Sequence, residues 1–216
     1  MSSPATSGRL AIFVDYDGTI TDIDTFDALI RAVAGDQIWE RFEAELASGQ
    51  ITLREVLRRE AALMTMSYAD ALAFLERRAA VDPSFAPFVR TAHARGASVA
   101  VVSSGIRQII GPALERAGVD VPVFANDVDF HHEGWRMTFI DESANGHDKA
   151  ARVAEARADG ARTVYVGDGV SDFEAALAAD VRFAKRDRAL ERYCRERGLE
   201  VTSFATFDEI ERALFA

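Results

Sequence analysis

Cysteine is almost missing from this 216-residue chain, in which Cys194 stands alone. A lone thiol excludes an intrachain disulfide, so nothing in the sequence asks for an oxidising compartment. Positive charge is also scarce: 25 Lys and Arg against 35 Asp and Glu leave a formal charge of -10. Neutralising a nucleic-acid backbone or an anionic lipid surface needs the opposite excess, which argues against both as partners. No apolar run approaches the ~20 residues that span a bilayer. The opening MSSPATSGR lacks the apolar centre of a secretory signal. Internal repeats and low-complexity tracts are absent too. These absences predict a soluble, cytoplasmic protein, monomer or homodimer, with a short disordered start.

What is present is ordinary globular composition, 49% hydrophobic, enough for one domain or one domain carrying a smaller insertion. "LAIFV" (10–14) is a short continuous apolar run, the pattern of a strand covered on both faces. "ASVAVVSSG" (97–105) and "ARTVYVGDG" (161–169) read the same way. Each follows a helix-like segment, "FAPFVRTAHARG" and "DKAARVAEARADG", that stops at a glycine. Helix alternating with buried strand predicts a doubly wound α/β fold with a parallel, Rossmann-like sheet. Ligands of such sheets sit at the carboxyl ends of the strands, here Asp15, Ser103 and Asp168.

Residues 23–83 break the pattern with helical spacing only, in "DTFDALIRAVAG", "DQIWERFEAELASG", "TLREVLRREAALM" and "SYADALAFLERRAA". They predict a helical insertion between core segments 9–22 and 84–216. Ser, Thr and Asp stand at plausible caps, and Gly35 and Gly49 at plausible stops. "VFANDVDFHHEGWRMTFID" (123–141) predicts a hairpin at the sheet edge around His132-Glu133-Gly134. "VRFAKRDRALERYCRERG" predicts a strand running into a charged helix, and "ATFDEIERALF" a last amphipathic helix.

Asp15 and Asp17 stand one residue apart where an apolar strand enters the core, an arrangement that costs stability and so points to chemistry. A carboxylate attacking an anionic phosphate monoester needs a divalent cation to offset repulsion. Mg²⁺ takes oxygen ligands and keeps several waters, so Asp15 and Asp168 suffice as its protein carboxylates. Candidates for holding the phosphoryl oxygens are the Ser103 hydroxyl, the Lys149 ammonium and loop amides near Asp17, Gly18 and Ser104. The helix after "SSGI" would aim its amide end at the same anion. Asp17 is then free to protonate the leaving oxygen and later take a proton from water.

"DYDGT", the serine in "VVSSG", the lysine in "GHDKA" and the acidic "GDGVSD", in this order, resemble the four motifs of the haloacid dehalogenase superfamily. The resemblance implies Asp15 as nucleophile forming an aspartyl-phosphate, and Asp17 as acid/base with its carbonyl on Mg²⁺. It also implies Ser103 and Lys149 on phosphate, Asp168 as metal ligand and Asp172 as a metal-associated carboxylate. Asp17 is lacking in the dehalogenase branch, so its presence implies a phosphatase. The helical insertion after the first motif resembles the cap of the phosphoserine phosphatase-like group, in which Asp24 matches an acidic residue that holds the substrate amine. The arginine which that group uses for the substrate carboxylate is Glu60 here, and Arg58 lies two residues off on the helix. "FAKRD" and "YC" in the tail resemble the methionine-salvage branch acting on hydroxy-keto-methylthiopentenyl phosphate. That branch usually has glycine where Ser104 stands. The expected partner is a small phosphorylated metabolite, with a phosphotransferase or a non-catalytic binding module as alternatives.

Other chemistry-bearing residues carry plainer expectations. His131 and His132 are adjacent on a hairpin and point to opposite faces, and with His147 they lack zinc-site spacing. Cys194 is expected to pack its helix, the arginines from 182 to 197 to form a solvated face, and Trp39 and Phe42 to fill the insertion's own core.

Overall fold

The computed structural model describes residues 9–216; the expected disordered start falls on residues 1–8, outside the described residues. Seven strands form one sheet: β1 (Leu10–Val14), β2 (Ser98–Ile106), β3 (Val123–Asp129), β4 (Arg136–Thr138), β5 (Arg162–Gly167), β6 (Val181–Lys185) and β7 (Thr202–Phe204). Their order is β4-β3-β2-β1-β5-β6-β7. Every pair is parallel except β3 with β4, the predicted edge hairpin. Because the chain leaves β1 toward β2 on one side and reaches β5 on the other, the crevice for a ligand opens beyond the end of β1.

Alternate residues of β1 serve two cores. Ile12 and Val14 pack with Val164 and Val166 against Phe85 and Phe88 of α5 (Phe85–Ala94) and Phe207 of α10 (Phe207–Phe215). Ala11 and Phe13 face Val153 of α7 (Lys149–Ala158), Ala175 of α8 (Phe173–Ala178), and Leu190 and Cys194 of α9 (Ala189–Glu196). Burial on both sides is why the strand reads as a continuous apolar run, and Cys194 is the packing residue expected. Two features depart from the sequence reading. Strand β2 continues past Ser103 to Ile106, with its pairing to β3 shifting register between Val102 and Ile106. The three-residue β7 is too short to show a period.

Between β1 and α5 lie four helices: α1 (Thr25–Ala34), α2 (Asp36–Ala47), α3 (Leu53–Leu63) and α4 (Tyr68–Glu76). Side chains cap three of them: Asp24 accepts from the amides of Phe26 and Asp27, Thr52 from Glu55, and Ser67 from Asp70. Their apolar faces do not close on themselves alone. Leu29, Ile30, Leu57, Ala61 and Leu75 share one cluster with Ile109, Val128 and Trp135. The Trp135 amide donates to the Ala61 carbonyl at 2.8 Å and its indole N–H to Met66 at 2.9 Å. Gly134, at φ 133°, makes this approach possible, since a Cβ there would strike the Ala62 carbonyl. The chain enters and leaves these helices through paired segments: Thr21 bridges Val81, and the Ala80 amide donates to Asp22 at 2.8 Å.

Candidate active site

A cavity of about 890 Å³ lies where the ends of β1, β2 and β5 face α1, α2 and α3. Its floor carries Asp15, Asp17, Ser103, Ser104, Lys149 and Asp168; its roof carries Asp24, Asp27, Glu43 and Glu60.

Asp15 is the first residue beyond β1, held in line by its amide donating to the Val166 carbonyl at 2.9 Å. Lys149 opens α7 and donates to Asp15 at 2.8 Å, Asp172 at 2.7 Å and Ser171 at 3.0 Å, using all three ammonium protons. Burial alone would lower the lysine pKa, but the charges of Asp15 and Asp172 outweigh it and raise it. Asp172 accepts from Lys149, the Tyr165 hydroxyl and the amides of Asp168 and Gly169, so four donors occupy its carboxylate. Burial, then the charge of Asp172, pushes Asp15 well above the usual carboxylate range. The same two causes push Asp168 up to about 7. One oxygen from each of Asp15, Asp168 and Asp172 lies within 4.8 Å of the others. Crowded hard oxygens with excess negative charge suit a divalent cation of the magnesium type. Asp15 and Asp168 each keep an oxygen that meets no protein donor among the described residues, so they fit that cation best.

Asp17 is pinned by α1. One of its oxygens accepts from the Thr25 amide at 2.8 Å and the Thr25 hydroxyl at 2.6 Å. The other faces Gly105, where a Cβ would lie 2.7 Å away. Burial, then the charge of Asp24, raises the Asp17 carboxyl to about 7. Gly18 corrects an expectation: its amide points back into its own loop, toward the Ile23 carbonyl and the Thr21 hydroxyl, each at 3.3 Å. Its place in the site is steric instead, because at φ 70° a Cβ would collide with the Asp168 carboxylate. Ser103 is buried; its hydroxyl oxygen accepts from the Gly105 amide at 2.9 Å, which leaves the hydroxyl proton free for a ligand. The Ser104 hydroxyl is turned away and donates to the Asn145 carbonyl at 2.8 Å.

Several contributors escaped the sequence reading. Thr25 looks only like a first helical residue, and Thr19, which donates to Asp168 at 3.2 Å, looks like loop polarity. Tyr165 sits mid-strand. His147 is buried, and its Nδ1 donates to the Ser103 carbonyl at 3.1 Å; burial lowers its pKa, so it holds the serine strand as a neutral ring. His131 pairs with Asp129 at 2.7 Å, and His132 is exposed on the hairpin, away from the cavity.

In the roof, Asp24 is the cap of α1, its surface opening into the cavity. Burial, then Asp27, raises Glu60 to about 9; burial, then Asp24, raises Asp27 to about 8. Arg58 turns outward to Glu55, as its two-residue offset predicts. Phe42 is buried in packing, Trp39 is partly so, and neither lines the cavity.

A mostly parallel sheet whose strand ends gather carboxylates beside one buried lysine, roofed by helices inserted after the first strand, defines an α/β protein with a site built for chemistry through carboxylates. The chain belongs to the haloacid dehalogenase-like hydrolase family, whose profile matches residues 12–177. It is 31% identical to Pdp3-interacting factor 1 of Schizosaccharomyces pombe, over 97% of this chain and 96% of that protein. It is 30% identical to the polyol phosphate phosphatase PYP1 of Saccharomyces cerevisiae (94% and 91%). A 2-hydroxy-3-keto-5-methylthiopentenyl-1-phosphate phosphatase of Geobacillus kaustophilus is 32% identical (95% and 96%). Among solved structures, a phospho-aspartyl intermediate analogue of phosphoserine phosphatase superposes with a TM-score of 0.75 at 20% identity, covering 95% and 99% of the chains. Family, relatives and fold together indicate a phosphoric monoester hydrolase.

Proposed function

We propose that the protein is a Mg²⁺-dependent phosphatase of a small metabolite phosphomonoester, acting through an aspartyl-phosphate on Asp15. The observation that carries this reading is the cluster of Asp15, Asp168 and Asp172 around Lys149 at the floor of the cavity. Asp15 attacks phosphorus and the bond to the ester oxygen breaks; Asp17 gives that oxygen its proton. Water then attacks the aspartyl-phosphate, returns a proton to Asp17 and frees Asp15 with release of phosphate. Asp15 and Asp168, with the main-chain carbonyl of Asp17, would hold Mg²⁺, which supplies positive charge beside the phosphoryl oxygens. The Ser103 hydroxyl donates to those oxygens, Lys149 sets its positive charge beside them, and Asp172 keeps Lys149 and the loop after β5 in place.

Residues 23–83 form a helical cap that shields the reaction from water and selects the leaving group. A hydroxy-keto-methylthiopentenyl phosphate is a candidate substrate, on the strength of the relatives. Phosphoserine fits less well, since Glu60 stands where a carboxylate-binding arginine is wanted. The acidic charge disfavours nucleic acid and anionic lipid as partners and supports action on small metabolites; among the described residues no helix is long and apolar enough to cross a membrane.

The test is phosphate release from a panel of metabolite esters with Mg²⁺ and with EDTA. Turnover is expected only with the metal. Asp15→Asn is expected to lower kcat on the order of 10⁴-fold or more while circular dichroism stays native. A variant retaining most of its turnover would remove Asp15 from the nucleophile's place. Product analysis with added alcohols separates hydrolysis from transfer to another acceptor.

A further inference from the structure

We propose that His147 is a positioning residue for phosphate: its ring fixes the peptide of Ser103 and, from a place two residues before Lys149, ties the serine to the lysine. The proposal rests on the phosphatase reading above for what fills the space between them. Backbone pairing gives out where Ser103 stands. Strand β2 pairs with β1 as far as Val101 and with β3 as far as Val102, and the pairing with β3 resumes at Ile106. Ser103 and Ser104 are buried in that gap, so side chains supply partners that a regular ladder would otherwise provide. The His147 Nδ1 donates to the Ser103 carbonyl at 3.1 Å, the Asn126 amide to the Ser104 carbonyl at 2.7 Å, and the Ser104 hydroxyl to the Asn145 carbonyl at 2.8 Å.

The loop that carries the ring is itself anchored. The Asp141 carboxylate accepts from the amides of Ser143 at 2.9 Å and Asp148 at 2.8 Å, and the Arg54 amide of α3 donates to the Ala144 carbonyl at 2.9 Å. Asp148 then caps α7, whose first residue is Lys149. One fixed loop therefore sets the serine through the ring and the lysine through the helix start. Packing does not explain an imidazole here. The ring is 1% exposed, and among the described residues its Nε2 has no hydrogen-bond partner. Burial lowers its pKa and keeps it neutral, so a proton on Nδ1 leaves a bare lone pair on Nε2. Burying that lone pair costs free energy that an apolar side chain of similar size would not. What the histidine contributes in return is the bond to Ser103.

The experiment titrates inorganic phosphate calorimetrically into the Mg²⁺-loaded protein and measures kcat and KM with p-nitrophenyl phosphate. His147→Leu is expected to weaken phosphate binding and raise KM by about tenfold, the cost of orphaning one buried carbonyl, with kcat changed far less. Mg²⁺ affinity without phosphate is expected to stay at the wild-type value, since Asp15 and Asp168 are untouched. His147→Asn, whose amide nitrogen can stand where Nδ1 stands, is expected to bind phosphate within about threefold of wild type. His147→Gln, whose amide falls at the Nε2 place, is expected to lose as much as Leu; the Asn and Gln pair covers the case of a Leu variant that does not fold. Nitrogen NMR of the histidine rings at neutral pH, assigned by the signal lost in His147→Asn, is expected to show His147 protonated on Nδ1 and bare on Nε2. Wild-type phosphate affinity in His147→Leu, an equal loss of Mg²⁺ affinity, an Asn variant no better than Gln, or a ring protonated on Nε2 overturns the proposal. Phosphate binding that depends on His147 in a protein that turns over no ester upholds the positioning role and sinks the phosphatase reading. Turnover of p-nitrophenyl phosphate with a KM indifferent to all three variants does the reverse.

Discussion

At the scale of residues, Asp17 and the roof carboxyls differ because their partners differ. Asp17 receives two hydrogen bonds from Thr25, and both stabilise its ionised form. Thr25→Val keeps shape and amide but removes the 2.6 Å hydroxyl bond, so the Asp17 carboxyl rises further. The basic step that takes a proton from water is expected to move to higher pH, read as a shift of the acid limb of the kcat profile. For Asp17→Asn, slowing of roughly 10²–10⁴-fold is expected for alkyl phosphates and much less for aryl phosphates, whose leaving groups need no proton. Equal slowing across both would sink the acid role. Glu60 allows a test free of turnover. Its carboxyl stays protonated to about 9 in the folded protein, against 4.5 ordinarily. Between those values the folded state holds a proton that the unfolded state has lost. Its contribution to stability is therefore full below the lower value and declines as pH rises through the window. Glu60→Gln is expected to flatten the fall of Tm with pH from 5 to 9; an unchanged slope would mean that Glu60 ionises freely.

At the scale of elements, the four inserted helices were legible because each carries helical spacing and three of them a capping side chain, Asp24, Thr52 and Ser67. Their attachment was not. The crossings at Thr21–Asp22 and Ala80–Asp82 pair with each other through backbone and one carboxylate, contacts nearly 60 residues apart that no local pattern announces. Asp22→Ala removes the 2.8 Å bond to the Ala80 amide. We expect faster hydrogen exchange at Ala80 and a joint change in kcat and KM, as for a hinge. Exchange at the wild-type rate would show that the backbone pairing alone holds the crossing. The strand-end motifs were legible for a different reason: an acidic or hydroxyl residue after an apolar run has no structural reason to be there. Thr25, Thr19 and His147 hid because a helix start, a loop and a buried ring each have ordinary structural uses.

At the scale of the whole molecule, the roof is fastened to the sheet edge by a shared core, with Trp135 between α3 and the β3–β4 hairpin. Trp135→Ala is expected to cost about 3–5 kcal/mol, measured by urea unfolding. It is also expected to raise KM, since Ala61 and Glu60 share one turn of α3. A second, separate unfolding transition for the helices would show that they form their own cooperative unit. The sequence alone determined the parallel α/β sheet and the helical insertion, and it put Asp15, Asp17, Ser103 and Lys149 forward as the residues to gather at the strand ends. Those follow from periodicity and from residue types next to one another, which act over a few residues. Only the tertiary structure decided that Gly18 serves by its missing side chain, that Lys149 is gripped by Asp15 and Asp172 together, and that Glu60 faces the cavity unpaired. Each depends on groups brought together from distant parts of the chain, and the spacing between such groups is set by packing.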